Sequence, residues 1–460
     1  MRASVIARQD ERHGARGRRW LVGAVLATGA LALTGAAAAT VVLATSGVFD
    51  RRPGAWTVPL RVLPGVTVEA NASGLVRLAT SPIGLRLLDG QSTTTALGVL
   101  HFARDGSALA VRCAPCRVND ARIAPRMVAL PPTELRLARR AGVESNNVVD
   151  ARVSAADVHG SAVLTLAPAG VDVQWQLPPS ALAAVVAVLG DAVPEARRAS
   201  IDGSVWAEGR FSLPLARPTL RLQLDQVAVR GLGTEALADG TVTFDCRDAR
   251  GAPRSTTIGA QDRQWVPADA FGTWLPQALL AAEDPHFRVH GGFDAATLQR
   301  ALSGLPPGRG TLTQQLVRTL HGTGDGSLAS VLRELLYASE MERTLGKDRI
   351  LALVMNTADW GPGACGARAA ARLYFGKRVP QLSPLEAAWL AGILRDPQRA
   401  YQQQVLGGVV DHERTQWVLA QLRELPRAER DKWRRLPLVF QARVSNGARP
   451  ALAVAGQATP

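Results

Sequence analysis

The chain has 460 residues, 47% of them hydrophobic, which is room for two or three domains and excludes wholesale disorder. Net charge is +14, and only three of the 53 basic residues are lysines: Lys347, Lys377 and Lys432. A charge of this size suits an anionic partner such as membrane lipid, pyrophosphate or nucleic acid, although a coding preference for Arg and Ala explains most of the total.

Residues 1–19 form a polar, Arg-rich tail, and residues 20–49 carry no charge at all. That run exceeds the roughly 20 apolar residues that cross a bilayer and the roughly 7–15 of a signal-peptide core. The expected reading is a cytoplasmic basic tail at 1–19 and a single transmembrane helix at 20–49, with the rest of the chain outside the cytoplasm. Cleavage near Ala36–Ala39 is the lesser alternative. A location outside the cytoplasm argues against nucleic acid as the partner.

Residues 50–255 read as β-rich. Val171, Val173, Trp175 and Leu177 alternate with polar residues, as do Leu220, Leu222 and Leu224, and then Val242, Phe244 and Cys246. Turns are expected at Pro64-Gly65, Asp89-Gly90, Asp105-Gly106 and Asp202-Gly203. One helix interrupts, with Ser180 as cap, Ala181–Leu189 as body and Gly190 as stop. Cys113 and Cys116 lie in C-A-P-C with no further ligands for zinc, so a disulfide is expected, between the two or from one of them to Cys246. The region is similar to AsmA-like β-domains of bacterial envelope proteins, and it could equally be a spacer. Residues 247–264 are polar and read as a linker.

Helical periodicity dominates the remainder. Glu283–Gly292 reads E-D-P-H-F-R-V-H-G-G, at the end of an apolar helical pattern. A helix C-terminus disfavours an anion, and partial burial against Phe287 adds to this, which suits Glu283 to general-base work at neutral pH. Glu334 sits beside an apolar stripe in Leu328–Leu345 with no basic residue three or four positions away on its helix. It therefore needs a partner from elsewhere, and together the two acids make a glycosyl-transfer site plausible.

Gly308–Gln315 (G-R-G-T-L-T-Q-Q), Glu334, Asn356–Gly366 (N-T-A-D-W-G-P-G-A-C-G) and Tyr374–Lys377 (Y-F-G-K) follow in order. With the E-D-P-H-F motif they resemble the peptidoglycan glycosyltransferase family, which comprises monofunctional biosynthetic transglycosylases and the glycan-polymerising module of class A penicillin-binding proteins. The resemblance implies an all-α, lysozyme-like domain at 265–405, followed by a helical extension and tail at 406–460. The whole is then an α+β multidomain protein of the inner membrane with its catalytic domain in the periplasm.

It further implies that Glu283 is the general base and Glu334 the donor-site carboxylate, where a divalent metal, Mg or Mn, could bind. Asp284, Phe287, His290, Thr311, Gln314, Gln315, Arg318 and Asn356 would bind substrate. The reaction would be inverting β-1,4 polymerisation of lipid II, with the nascent glycan strand, the bilayer and the cell-wall synthesis machinery as partners. The alternative is a weak or inactive relative serving as a glycan or lipid-pyrophosphate binder or a scaffold. The chain departs from the family pattern by Gly310 for Ser, Arg318 for Lys, Arg309 for Gly, Asp359 for Glu, and Ser330-Val331 for an Arg-Lys pair. If the protein is a slow enzyme, restoring Arg and Lys at 330 and 331 is expected to raise turnover, at some cost in packing because Val331 lies on the apolar stripe. No S-x-x-K occurs, so no penicillin-binding transpeptidase is expected.

Overall fold

The computed structural model describes residues 57–63, 66–140, 142, 147–214 and 218–441, together with Val48. Among these, no helix is long and apolar enough to cross a membrane. The expected span at 20–49 lies outside the described residues apart from Val48, as do the basic tail at 1–19 and the end of the chain from 442.

The first part of the chain is mostly strand: β1 (Thr57–Leu63), β2 (Val66–Asn71), β3 (Ser92–Thr95), β4 (Gly98–Asp105), β5 (Ala108–Val118), β6 (Val128–Leu130), β7 (Thr133–Arg139), β8 (Val148–Ala155), β9 (Val158–Ala167), β10 (Gly170–Ala181), β11 (Ser200–Leu213) and β12 (Thr219–Arg230). Strands β3 to β12 belong to one sheet in the order β12-β11-β10-β9-β8-β7-β5-β4-β3, with β6 on β5. The pairings from β3–β4 through β9–β10 are antiparallel meander steps.

The described residues form two compact units. One holds those up to Cys116, with Pro132–Pro178 and Glu208–Thr219. Its core is one face of the sheet, where Leu109, Leu137, Val149, Leu166, Val171 and Val173 are buried with Leu85. The alternation at 171–176 is realised as buried valines and exposed Asp172, Gln174 and Gln176. Cys113 and Cys116 are joined in a disulfide within β5.

Two helices, α1 (Ala72–Ala79) and α2 (Pro82–Leu88), add to the strands expected in this region. Each is a short segment set by its cap: the Asn71 side chain accepts from Gly74 N–H and Ser81 from Gly84 N–H, with Pro82 in the first turn of α2.

The second unit holds Arg117–Pro131, Pro179–Ala207 and everything from Leu220. The single β-domain expected at 50–255 is thus divided between the two units. Gly203 is not at a turn but inside β11, at φ +107, where a Cβ would lie 2.8 Å from the Asp225 carbonyl oxygen. Helix α3 covers only Leu182–Ala187, with Ala181 and not Ser180 at its N-cap.

The expected linker at 247–264 is largely built structure. β13 (Val242–Arg247) pairs with β14 (Pro253–Ile258), and Val242, Phe244, Cys246 and Ile258 enter the core of the helical module. The helices are α4 (Trp274–Glu283), α5 (Ala295–Leu302), α6 (Leu312–His321), α7 (Leu328–Thr344), α8 (Gly346–Thr357), α9 (Gly366–Phe375), α10 (Pro384–Ile393), α11 (Pro397–Ala400), α12 (His412–Gln421) and α13 (Arg427–Arg435). Helix α10 packs against α4 and α12, and it starts with a Ser383/Glu386 capping box.

Cys246 is bonded to Cys365, not to the C-A-P-C pair, because the β13–β14 hairpin lies against the loop that precedes α9. This bond closes a separation of 119 residues. Chain entropy gives such a loop about 4–5 kcal/mol. Replacing both Cys246 and Cys365 by Ser is therefore expected to lower the urea midpoint clearly, whereas the same change at Cys113 and Cys116 should have a much smaller effect. Equal effects would contradict this.

Candidate active site

Helix α4 stops at Glu283 because Asp284 leaves helical geometry, at φ −155, ahead of Pro285. Asp284 turns inward, accepting from Leu312 N–H at the start of α6 (2.9 Å) and from His290 Nε2 (2.9 Å). Gly292 N–H donates to His290 Nδ1 (3.0 Å), which fixes the tautomer with its proton on Nε2. Lys347 donates to the His290 carbonyl and pairs with Glu342, which accepts from Thr313. Gly292 sits at φ +87, and a Cβ there would meet Glu342 Cγ at 2.4 Å.

The Glu283 side chain is 1% exposed. Its Oε2 accepts from Arg309 Nε at 2.7 Å. Its Oε1 is buried, hydrogen-bonds to nothing among the described residues, and lies 3.8 Å from both Arg395 Nε and Arg414 Nη2. The apolar setting expected at this helix end is in fact a ring of three guanidinium groups. Arg309 also donates to Gln315 Oε1 (3.0 Å) and to the carbonyls of Leu394 and Arg395. It sits in a turn between Gly308 at φ +85 and Gly310 at φ +64. A Cβ at 310 would come within 2.6 Å of Gln314 Oε1, so glycine here follows from a left-handed turn packed on Gln314.

The second carboxylate lies across α6. Arg318 grips Glu334 with two parallel bonds, Nε to Oε1 at 2.7 Å and Nη2 to Oε2 at 2.8 Å. Gln314 Nε2 adds a bond to Oε2 (3.2 Å). Burial pushes the Glu334 carboxyl above its ordinary range, and the Arg318 bonds and charge pull it part of the way back. This is the partner that Glu334 lacks on its own helix. The third Arg318 nitrogen, Nη1, donates to the Arg309 carbonyl (2.5 Å), so Arg309 links the two sites, side chain to Glu283 and backbone to Arg318.

A transglycosylase family model matches residues 251–423. The chain is 37% identical over 177 residues to the biosynthetic peptidoglycan transglycosylase of Alcanivorax borkumensis, covering 37% of this chain and 71% of that protein. It is 36% identical over 157 residues to the protein of that name from Thiobacillus denitrificans, covering 31% and 68%, and 36% identical over 167 residues to that from Shewanella amazonensis, covering 35% and 67%. The chain belongs to the biosynthetic peptidoglycan transglycosylase family. The match begins at 251 and not 265, consistent with β14 being part of the transglycosylase module.

Within this transglycosylase site, several residues expected to bind substrate are committed to the protein itself. Phe287 is 1% exposed with Lys347 over its ring, and Thr311 caps α6 while donating to the Gly292 carbonyl. Gln314 is fully buried, bonded to Asp294, Thr311, Thr297 and Glu334. Asn356 clamps Val266 through both its N–H and carbonyl. Asp284 and His290 bond each other as described above. These six shape the site from behind. Gln315 is different: it lines a cavity of about 150 Å³ with Arg309, Thr319 and Asp359, and its Nε2 has no partner among the described residues. A larger cavity of about 430 Å³ is lined by Arg395 and Arg414 but by neither carboxylate of the pair.

Both oxygens of Glu334, where Mg or Mn is expected, accept from Arg318, so a divalent cation there would have to loosen that fork and take its remaining ligands from substrate phosphate and water.

The absent Arg-Lys pair has no direct substitute on α7. Ser330 and Val331 are buried at 3% and 0% exposure, and Arg333 is turned to the buried Glu195 (3.0 Å). This burial sets a folding cost against the gain in turnover expected from Arg and Lys at 330 and 331. Ser330 hydrogen-bonds the Asp325 carboxylate, but Val331 is fully buried on the apolar stripe, and a lysine placed there without a partner should cost roughly 3–5 kcal/mol. Ser330→Arg with Val331→Lys is expected to lose the cooperative melt, and a wild-type melting temperature would refute this.

Sequence reasoning missed Arg395 and Arg414. Arg414 also donates to the Ala282 carbonyl at 2.8 Å, closing the end of α4 from a helix 132 residues further on. No local pattern marks it.

Proposed function

We propose that the protein polymerises lipid II into β-1,4-linked glycan strands by inverting transfer from a polyprenyl pyrophosphate. Glu283 takes the proton of the acceptor 4-hydroxyl. The freed oxygen forms a bond to the anomeric carbon of the donor, and the bond from that carbon to the pyrophosphate oxygen breaks on the opposite face. The polyprenyl pyrophosphate leaves with the bonding pair. Arg309 and Arg318 supply positive charge where that pair accumulates. The observation that carries this reading is the pair of buried carboxylates, Glu283 and Glu334, each bound by a guanidinium and linked through Arg309.

We further propose anchoring by the uncharged run at 20–49, with the N-terminus in the cytoplasm and the transglycosylase module in the periplasm, where it meets the bilayer, the nascent strand and the synthesis machinery. The run's length and the arginines before it support this. The product tests the activity. Lipid II incubated with the full chain should yield material that a β-1,4-specific muramidase cuts back to disaccharide units. Unchanged lipid II would point to a binder, and material shorter than a supplied glycan to a lytic enzyme.

A further inference from the structure

We infer that Arg309 is an oxyanion-binding residue of the phosphate class, and that an anion arriving there draws its guanidinium off Glu283 and uncovers the base.

In this structure Glu283 cannot receive a hydroxyl. Oε2 is taken by Arg309, and Oε1 is buried behind Arg395 and Arg414. Something must move before the carboxylate can act, and Arg309 is the group placed to do so. Its side chain is 41% exposed against 1% for Glu283, so an anion from solvent meets the guanidinium first. Its turn is flanked by two left-handed glycines, and its backbone carbonyl, not its side chain, accepts from Arg318. Swinging the side chain therefore leaves the Arg318–Glu334 fork intact.

Charge favours the exchange. Four guanidinium groups, Arg309, Arg318, Arg395 and Arg414, stand against the carboxylates of Glu283 and Glu334. Glu283 can lose Arg309 and keep two arginines within 3.8 Å, so it is never buried as a lone charge. Guanidinium binds phosphate oxygens through two parallel N–H bonds, at least as well as it binds one carboxylate oxygen. Arg309 and Arg318 are bonded to one another, side chain to backbone carbonyl, with side chains 41% and 21% exposed, so a diphosphate could engage both. The enzyme would then keep its base covered until an anionic donor is in place.

That the natural anion is the donor pyrophosphate rests on the function proposed above. The binding of inorganic pyrophosphate does not need polymerisation, so either can fail alone. The experiment measures inorganic pyrophosphate affinity by calorimetry for the full chain, Glu283→Gln, Arg309→Ala and the double variant. If Glu283 and the anion compete for Arg309, Glu283→Gln tightens binding about tenfold when Arg309 is present and less than about twofold when it is not. Arg309→Ala alone weakens binding about tenfold, and Arg309→Lys restores part of it. An equal gain from Glu283→Gln in both backgrounds would reduce the effect to general electrostatics and overturn the inference. Should Glu283→Gln not fold, the exposed Arg309→Ala still decides, because wild-type affinity in that variant also overturns it.

Discussion

Glu283→Gln is expected to slow glycan polymerisation by about 10²–10⁴-fold while leaving a folded protein. Gln keeps the shape and can still accept from Arg309, but it cannot hold the proton of the acceptor hydroxyl. Two of the three facing arginines are tied elsewhere as well: Arg309 to Gln315 and to the carbonyls of Leu394 and Arg395, Arg414 to the Ala282 carbonyl. Losing the carboxylate charge should therefore lower the melting temperature by only a few degrees, in keeping with a loss of about 1–2 kcal/mol. A Glu283→Gln enzyme as fast as the wild type would remove Glu283 from the reaction.

Arg318→Ala is expected to be the most destabilising single change in the site. It strips the fork from a carboxylate that is 2% exposed and leaves only Gln314 to bond it. Breaking a buried pair from one side costs roughly 3–5 kcal/mol, since the remaining charge is stranded. Replacing both partners with apolar residues, Arg318→Met with Glu334→Leu, should recover most of that stability without recovering polymerisation. Urea unfolding of the three proteins checks this. If Arg318→Ala costs less than the double variant, the pair is not the coupled unit described above.

These two expectations separate what could be read along the chain from what could not. Strands around Val171–Trp175 and Val242–Cys246 show themselves by period two. Val171, Val173, Val242, Phe244 and Cys246 are the buried members of that alternation. Glu334 stands out as an acid without a local partner, and Glu283 by its place at a helix end in the E-D-P-H-F motif. Their actual partners do not, because the Arg318–Glu334 and Arg309–Glu283 pairs span 16 and 26 residues across different elements. Residues 253–258 look like a linker because that strand exposes most of its polar side chains and is defined only by pairing with β13. The Cys246–Cys365 bond depends on that same pairing. Helices α1 and α2 are too short for periodicity to reveal and rest on their Asn71 and Ser81 caps. A family motif, such as those holding Asp284 and Asn356, does not say which way a side chain faces. Here they face inward.

In the proposed function, the two buried carboxylates act together in polymerisation. The most direct test incubates purified full-length protein with labelled lipid II in detergent or vesicles, with and without a divalent metal, and resolves the products by length on a gel. Glycan polymer far longer than one disaccharide, formed under at least one of the metal conditions and absent with Glu283→Gln, is the predicted result. Lipid II left unpolymerised by a protein that melts cooperatively, under both metal conditions, would contradict it.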